Sequence, residues 1–130
     1  MDTRKILYAA APAAVLLTIL GCNSGPATPK ELLDLYFSSS VKQDYATTYT
    51  CYYAPYKAKV SSEEYIKHRK EASVLQSYKI ASLQVNGKTA QAEALLTFAP
   101  SEKFKRKEPV TVKVKEDLVQ EGNAWKIKVW

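Results

Sequence analysis

Asn86-Gly87 constrains this chain more than any other dipeptide in it. Asn-Gly favours the two-residue turn whose twist matches that of paired strands, so residues 78–85 and 88–98 are predicted to pair as a β-hairpin. The second arm alternates cleanly, with Ala90, Ala92, Ala94, Leu96 and Phe98 on one face. The first arm changes phase near Ile80-Ala81, which predicts a bulge and a bent sheet. A second hairpin is predicted from residues 109–119 and 124–130 around Glu121-Gly122. Its inward set is Val110, Val112, Val114 and Leu118 on one arm, and Trp125, Ile127 and Val129 on the other. Pairing around that dipeptide would set Lys115 opposite Lys128, a like-charge contact, and Asp117 opposite Lys126.

The preceding residues read as helices. Thr28 is placed to cap, Pro29 suits the first helical position, and Glu31 is spaced to complete a capping box. Leu33, Phe37, Val41 and Tyr45 then recur every four residues and form one apolar face. Asp44 predicts a second helix over residues 45–53 that ends before Pro55. Lys57-Ala58-Lys59-Val60 alternates and is predicted as a short lone strand. Ser61 and Glu64 form another capping box, which opens a third helix running to about Glu71. Helices first and hairpins afterwards give an α+β class: three N-terminal helices packed in a strongly curved antiparallel sheet of about four main strands.

The N-terminus carries a different message. Arg4 and Lys5 precede an apolar run from Ile6 to Leu20, the pattern of a secretory signal. The run is short for a membrane span, which needs roughly 20 apolar residues, and it contains Pro12. Ile19-Leu20-Gly21-Cys22 resembles the bacterial lipobox. That resemblance implies cleavage between Gly21 and Cys22 and acylation of Cys22. Two or three acyl chains hold a protein firmly where one does not. Asn23 is not the aspartate that retains such proteins in the inner membrane of enteric bacteria, so the resemblance favours the outer membrane of a cell that has one. The expected organisation is a signal over residues 1–21, a lipidated tether over 22–28 and a single α+β domain over 29–130.

Of the two cysteines, anchoring would leave Cys51 unpaired, and its apolar-aromatic neighbours predict a buried, inert thiol. The formal charge of +6 falls to +5 without the signal segment. A basic exported domain suits an anionic lipid, a wall polymer or another envelope protein as partner, and its address argues against nucleic acid. Lys113, Lys115, Lys126 and Lys128 on the outer face of the last hairpin are the candidate anionic-partner surface. The simpler reading is a solvated sheet face that discourages aggregation.

The long first helix, the Lys42-Gln43-Asp44-Tyr45-Ala46 junction, the Ser62-Glu63-Glu64-Tyr65 helix and the terminal Glu121-Gly122-Asn123-Ala124-Trp125-Lys126-Ile127 hairpin resemble the nuclear transport factor 2-like superfamily. The resemblance implies a cone, a bent sheet wrapped around the first helix, with a pocket at the open end. Tyr36, Phe37, Tyr49, Ala92, Ala94 and Trp125 are the candidate pocket residues. Tyrosines concentrated in the helical half serve equally as an aromatic core whose hydroxyls reach the rim.

Some members of that superfamily are isomerases, dehydratases or cyclases, whose chemistry needs a facing acid and base in an apolar pocket. No Asp or His falls at a predicted inward strand position, and Glu93 and Asp117 are assigned to the outer face. No catalytic residue is therefore assigned. His68 lies among charges on a helix, without partners at metal-ligand spacing, and no zinc, phosphate-loop or dinucleotide motif is present, so no metal or cofactor is expected. The expectation is a membrane-anchored, non-catalytic binding or interaction module, with a small cyclase- or isomerase-type enzyme as the alternative.

Overall fold

The computed structural model describes residues 25–130. The signal segment, Gly21 and Cys22 lie outside the described residues. Among the described residues no helix is long and apolar enough to cross a membrane.

The first helix, α1 (Pro29–Val41), starts as its sequence dictates: the Thr28 hydroxyl accepts the Glu31 N–H at 3.1 Å and Pro29 opens the first turn. Glu31 does not close the expected box on Thr28; its carboxylate accepts the Ala27 N–H instead, at 3.0 Å. Leu32, Leu33 and Phe37 form the buried stripe. The helix ends in a Schellman turn: Gln43 N–H reaches Ser40 O, Asp44 N–H reaches Ser39 O, and Gln43 sits at φ 58°. That left-handed position is one that glycine usually occupies.

Helix α2 (Tyr45–Thr50) is capped by Asp44 and stops three residues earlier than expected. Residues 51–53 turn away to lie beside the last strand, where Ile127 N–H donates to Cys51 O and Tyr53 N–H donates to Ile127 O. An exposed sheet edge is thereby partly covered. The expected lone strand at 57–60 is instead the end of a helix, α3 (Ala54–Lys59). The preceding helix has already ended at Thr50, and Pro55 suits the first turn of the next, which four alternating residues were too short a window to outweigh. Helix α4 (Ser62–Glu71) has the full reciprocal capping box of Ser61 and Glu64. The described chain thus has four helices, not three.

Four antiparallel strands follow in sequence order: β1 (Leu75–Asn86), β2 (Thr89–Phe98), β3 (Val110–Glu121) and β4 (Ala124–Lys128). The predicted phase change is real. The β1–β2 register shifts between Ile80 and Ser82, so that Ile80 faces Ala94 and Leu83 faces Ala92. The turn at β3–β4 is Gly122-Asn123, one position later than expected, with Glu121 opposite Ala124. That moves the pairing by two residues: Asp117 lies opposite Lys128 and Val119 opposite Lys126. The expected Lys115–Lys128 contact does not form, and on the β2 side Lys115 lies opposite Glu93, a residue of opposite charge.

Ala90, Ala92 and Ala94 are fully buried alongside Leu32, Leu33 and Phe37. Alanine at three successive inward positions lets the helical layer approach closely, so this half of the domain is packed. The chain before α1 is also fixed, because Trp125 N–H donates to Pro26 O at 3.0 Å.

Candidate functional site

Where the small residues give way to Leu96 and Phe98, the helical and sheet layers separate and leave a cavity of about 100 Å³. From the helices come Tyr36, Phe37 and Ser40 of α1, Tyr52 beyond α2, and Tyr65 and Arg69 of α4. The sheet supplies Leu75, Leu96, Phe98 and Glu116. Tyr36 and Tyr52 hydroxyls lie 2.8 Å apart, and Tyr52 and Tyr65 hydroxyls 3.4 Å apart, forming one chain of three phenols. Their rings meet edge to face, with Tyr52 centroids 5.5 Å from Tyr36 and 5.2 Å from Tyr65. Below this chain, the Ser39 and Thr48 hydroxyls meet at 2.6 Å, and Ser39 and Ser40 bond the Tyr36 carbonyl. The serine run of α1 thus fixes the helix segment that carries Tyr36.

Two charged side chains complete the walls. Burial, with a smaller contribution from neighbouring Asp117, pushes the Glu116 carboxyl up to about 7. Burial likewise raises Tyr36, Tyr52 and Tyr65 well above the ordinary phenol range, and the Glu116 charge adds to the effect on Tyr36. Arg69 sits over the Tyr45 ring at 5.2 Å, and its buried Nε has no hydrogen-bond partner in the protein. Among the described residues neither Arg69 nor Glu116 belongs to an ion pair. The cavity therefore combines three hydroxyls, a cation and a carboxyl that titrates near neutrality, within apolar walls.

Of the expected pocket residues, Tyr36 and Phe37 line this cavity. Tyr49 stands behind it, its ring 5.6 Å from that of Tyr65 and its hydroxyl bonded to Val60 O at 2.7 Å. Ala92, Ala94 and Trp125 are buried in the packed half. The expectations for Asp, His and Glu93 do not cover Glu116, which lies on the inner sheet face. The signal was present in the alternation: between Val114 and Leu118 the next position on that inner face is residue 116, a charge inside an otherwise apolar set. His68 is exposed as expected, and no metal-holding group of His, Cys, Asp or Glu occurs among the described residues.

The four outer lysines do not form one bare cationic field. Lys113 pairs with Glu93 at 3.6 Å, Lys126 donates to Thr50 O at 3.0 Å, and Lys128 lies over the Trp130 ring at 3.7 Å.

No family model and no curated protein matches the sequence. Solved structures do. A SEC-C motif-containing protein of Rhodopseudomonas palustris superposes with a TM-score of 0.66 at 11% identity, over 85% of this chain and 82% of that one. A SEC-C motif-containing protein of Psychrobacter arcticus gives 0.63 at 12% identity, over 80% and 60%. A nuclear transport factor 2-like protein of unknown function from Pseudomonas putida gives 0.53 at 12% identity, over 75% and 78%. The domain is α+β with a nuclear transport factor 2-like fold; at these identities the likeness extends to the fold alone.

Proposed function

We propose that this chain is a lipid-anchored protein of the bacterial envelope whose domain binds a small polar ligand in the tyrosine-lined cavity without transforming it. The observation that carries the reading is the pair of charged side chains on the cavity wall, Arg69 and Glu116, left without ionic partners beside three linked phenols. Buried polar groups are ordinarily satisfied, and a ligand with an acidic or carbonyl end and a donor end would satisfy both. About 100 Å³ is well below the usual range of roughly 300–1,000 Å³ for ligand pockets, so the ligand has only a few heavy atoms.

Titration of the protein with acetate and with acetamide, followed by amide NMR shifts, tests this. Shifts centred on Tyr36, Tyr65, Arg69 and Glu116, reduced in Arg69→Gln, support it. Uniform indifference to both probes would sink it.

A second reading is favoured by one feature. A carboxyl near pKa 7 beside hydroxyl donors is the acid-base pairing that proton-transfer enzymes employ. On that reading Glu116→Gln would abolish a turnover that the binding reading does not require.

Anchoring rests on the lipobox of residues 19–22. Labelled palmitate should enter the wild type and not Cys22→Ala, and the variant should leave the membrane fraction. Persistent labelling of Cys22→Ala would refute the anchor. An anionic lipid, wall polymer or other envelope protein on the outer lysines remains a proposal, weakened by the local partners those lysines already have.

A further inference from the structure

The outer face of the sheet carries an aromatic side chain that the fold does not require. Trp130 is 86% exposed, whereas Trp125 is 4% exposed. An exposed indole is usually free to turn, but this one is held at two points. Its Nε1–H donates to Asp117 Oδ2 at 2.7 Å, and Lys128 Nζ stands 3.7 Å from the ring centroid. The other oxygen of Asp117 accepts from Gln91 Nε2 at 3.2 Å. Indole, carboxylate and amide are thus fixed in one array before anything binds, which lowers the ordering cost of binding.

This array borders two adjoining hollows of about 310 and 380 Å³ that share Gln84, Gln91 and Asp117. Together they form a trough across all four strands. Three strand spacings are roughly 14 Å, long enough for more than one sugar ring. The charged lining of the trough is of both signs, with Glu93, Glu116 and Asp117 against Lys115 and Lys128, and its amides both donate and accept. A polyanion would meet three carboxyl groups there, and an apolar partner would leave the polar groups unsatisfied. A neutral, polyhydroxylated molecule fits both constraints. One face of a pyranose ring presents polarised C–H bonds that suit the electron-rich indole face, while its hydroxyls reach the amides and Asp117.

We infer that this trough is a binding site for the neutral pyranose units of a linear glycan, with Trp130 as the stacking platform and Gln84, Gln91 and Asp117 as the hydroxyl-reading groups. The trough meets the inner cavity at Glu116, which lines both, and its Trp130 platform does not depend on a ligand in that cavity.

The test titrates the full-length protein in detergent with chitotriose, cellotriose and maltotriose. Only two tryptophans are present, and the other is buried, so a fluorescence change reports Trp130. Binding of at least one trisaccharide, with a dissociation constant on the order of 1 mM or tighter, should blue-shift the emission and protect it from acrylamide. By calorimetry, Trp130→Ala should abolish that binding, Trp130→Phe should retain part of it, and Asp117→Asn should weaken it at least about fivefold, on the order of 1 kcal/mol. The Trp130 side chain is exposed, so circular dichroism of Trp130→Ala should match the wild type. No binding of any trisaccharide, undiminished binding by Trp130→Ala, or preference for polygalacturonate would overturn the inference.

Discussion

The hydroxyls of Tyr36 and Tyr52 lie 2.8 Å apart, and Tyr52 in turn is the only link from that pair to Tyr65. Tyr52 therefore satisfies two buried phenols at once. Tyr52→Phe should leave both without that partner and cost about 1–3 kcal/mol. Tyr36→Phe should cost less, because Tyr52 keeps its contact with Tyr65. Urea denaturation of the two variants measures the order.

Glu116 gives the fold a pH dependence of defined sign. Its folded value, about 7, lies above that of an unfolded glutamate, so the native state holds the proton more tightly. Stability from this group is fully present below the ordinary carboxylate range and is lost as the pH rises towards 7. At ~1.4 kcal/mol per unit, the loss is about 3 kcal/mol at most. Glu116→Gln should accordingly melt near the wild type at pH 4.5 and several degrees above it at pH 8. Parallel curves at both pH values would contradict the buried carboxyl.

Gln43 occupies a left-handed conformation, φ 58°, at the end of α1. A non-glycine residue is strained there by roughly 1–2 kcal/mol, and part of any relief is offset by the entropy glycine adds to the unfolded chain. Gln43→Gly should stabilise the protein by about 0.5–1 kcal/mol, read from the urea midpoint at unchanged m-value.

Cys51 is 1% exposed, and burial pushes its thiol up to about 11. The thiolate that reacts with disulfide reagents is scarce and covered. In a Cys22→Ala background, labelling by such a reagent should be slow in buffer and should accelerate in step with urea unfolding. Rapid stoichiometric labelling of native protein would show that residues 51–53 open readily.

Local signals in the sequence were sufficient for most of the architecture. The phase change at Ile80-Ala81 and the Ser61–Glu64 box each act over a few residues and appear where expected, whereas the first hairpin turns at Gly87-Lys88, one position after the expected Asn86-Gly87, with Asn86 opposite Thr89. The errors arose where two local rules compete. A proline such as Pro55 can bar one helix or open another, and here it lies in the first turn of α3, while a glycine turn leaves the register open by a residue on either side. The cavity was partly legible: Tyr36 and Phe37 follow from the face of α1, whereas Tyr52 lies beyond α2, where backbone bonds to Ile127 set its place. Glu116 was visible as a breach in an apolar alternation, but its neighbours on α1 and α4 are remote in sequence. The role of Trp130 depends on Asp117 and Lys128 lying opposite each other across β3 and β4, and a two-residue error in register hides that.

The hydrogen bond from Trp125 to Pro26 has a consequence for posture. On the proposed attachment at Cys22, the first described contact, where Gly25 meets Ala124, comes three residue steps after the lipid, a span of roughly 10 Å at most. So short a leash leaves little room to tumble. The β3–β4 turn would face the bilayer, and the loop leading into β3, with exposed Phe104 among Lys103, Lys105 and Lys107, would stand about 35–40 Å higher at the far end of a twelve-residue strand. The molecule would present that basic tip, and with it the flank of the sheet, to whatever lies across the envelope rather than to its own membrane.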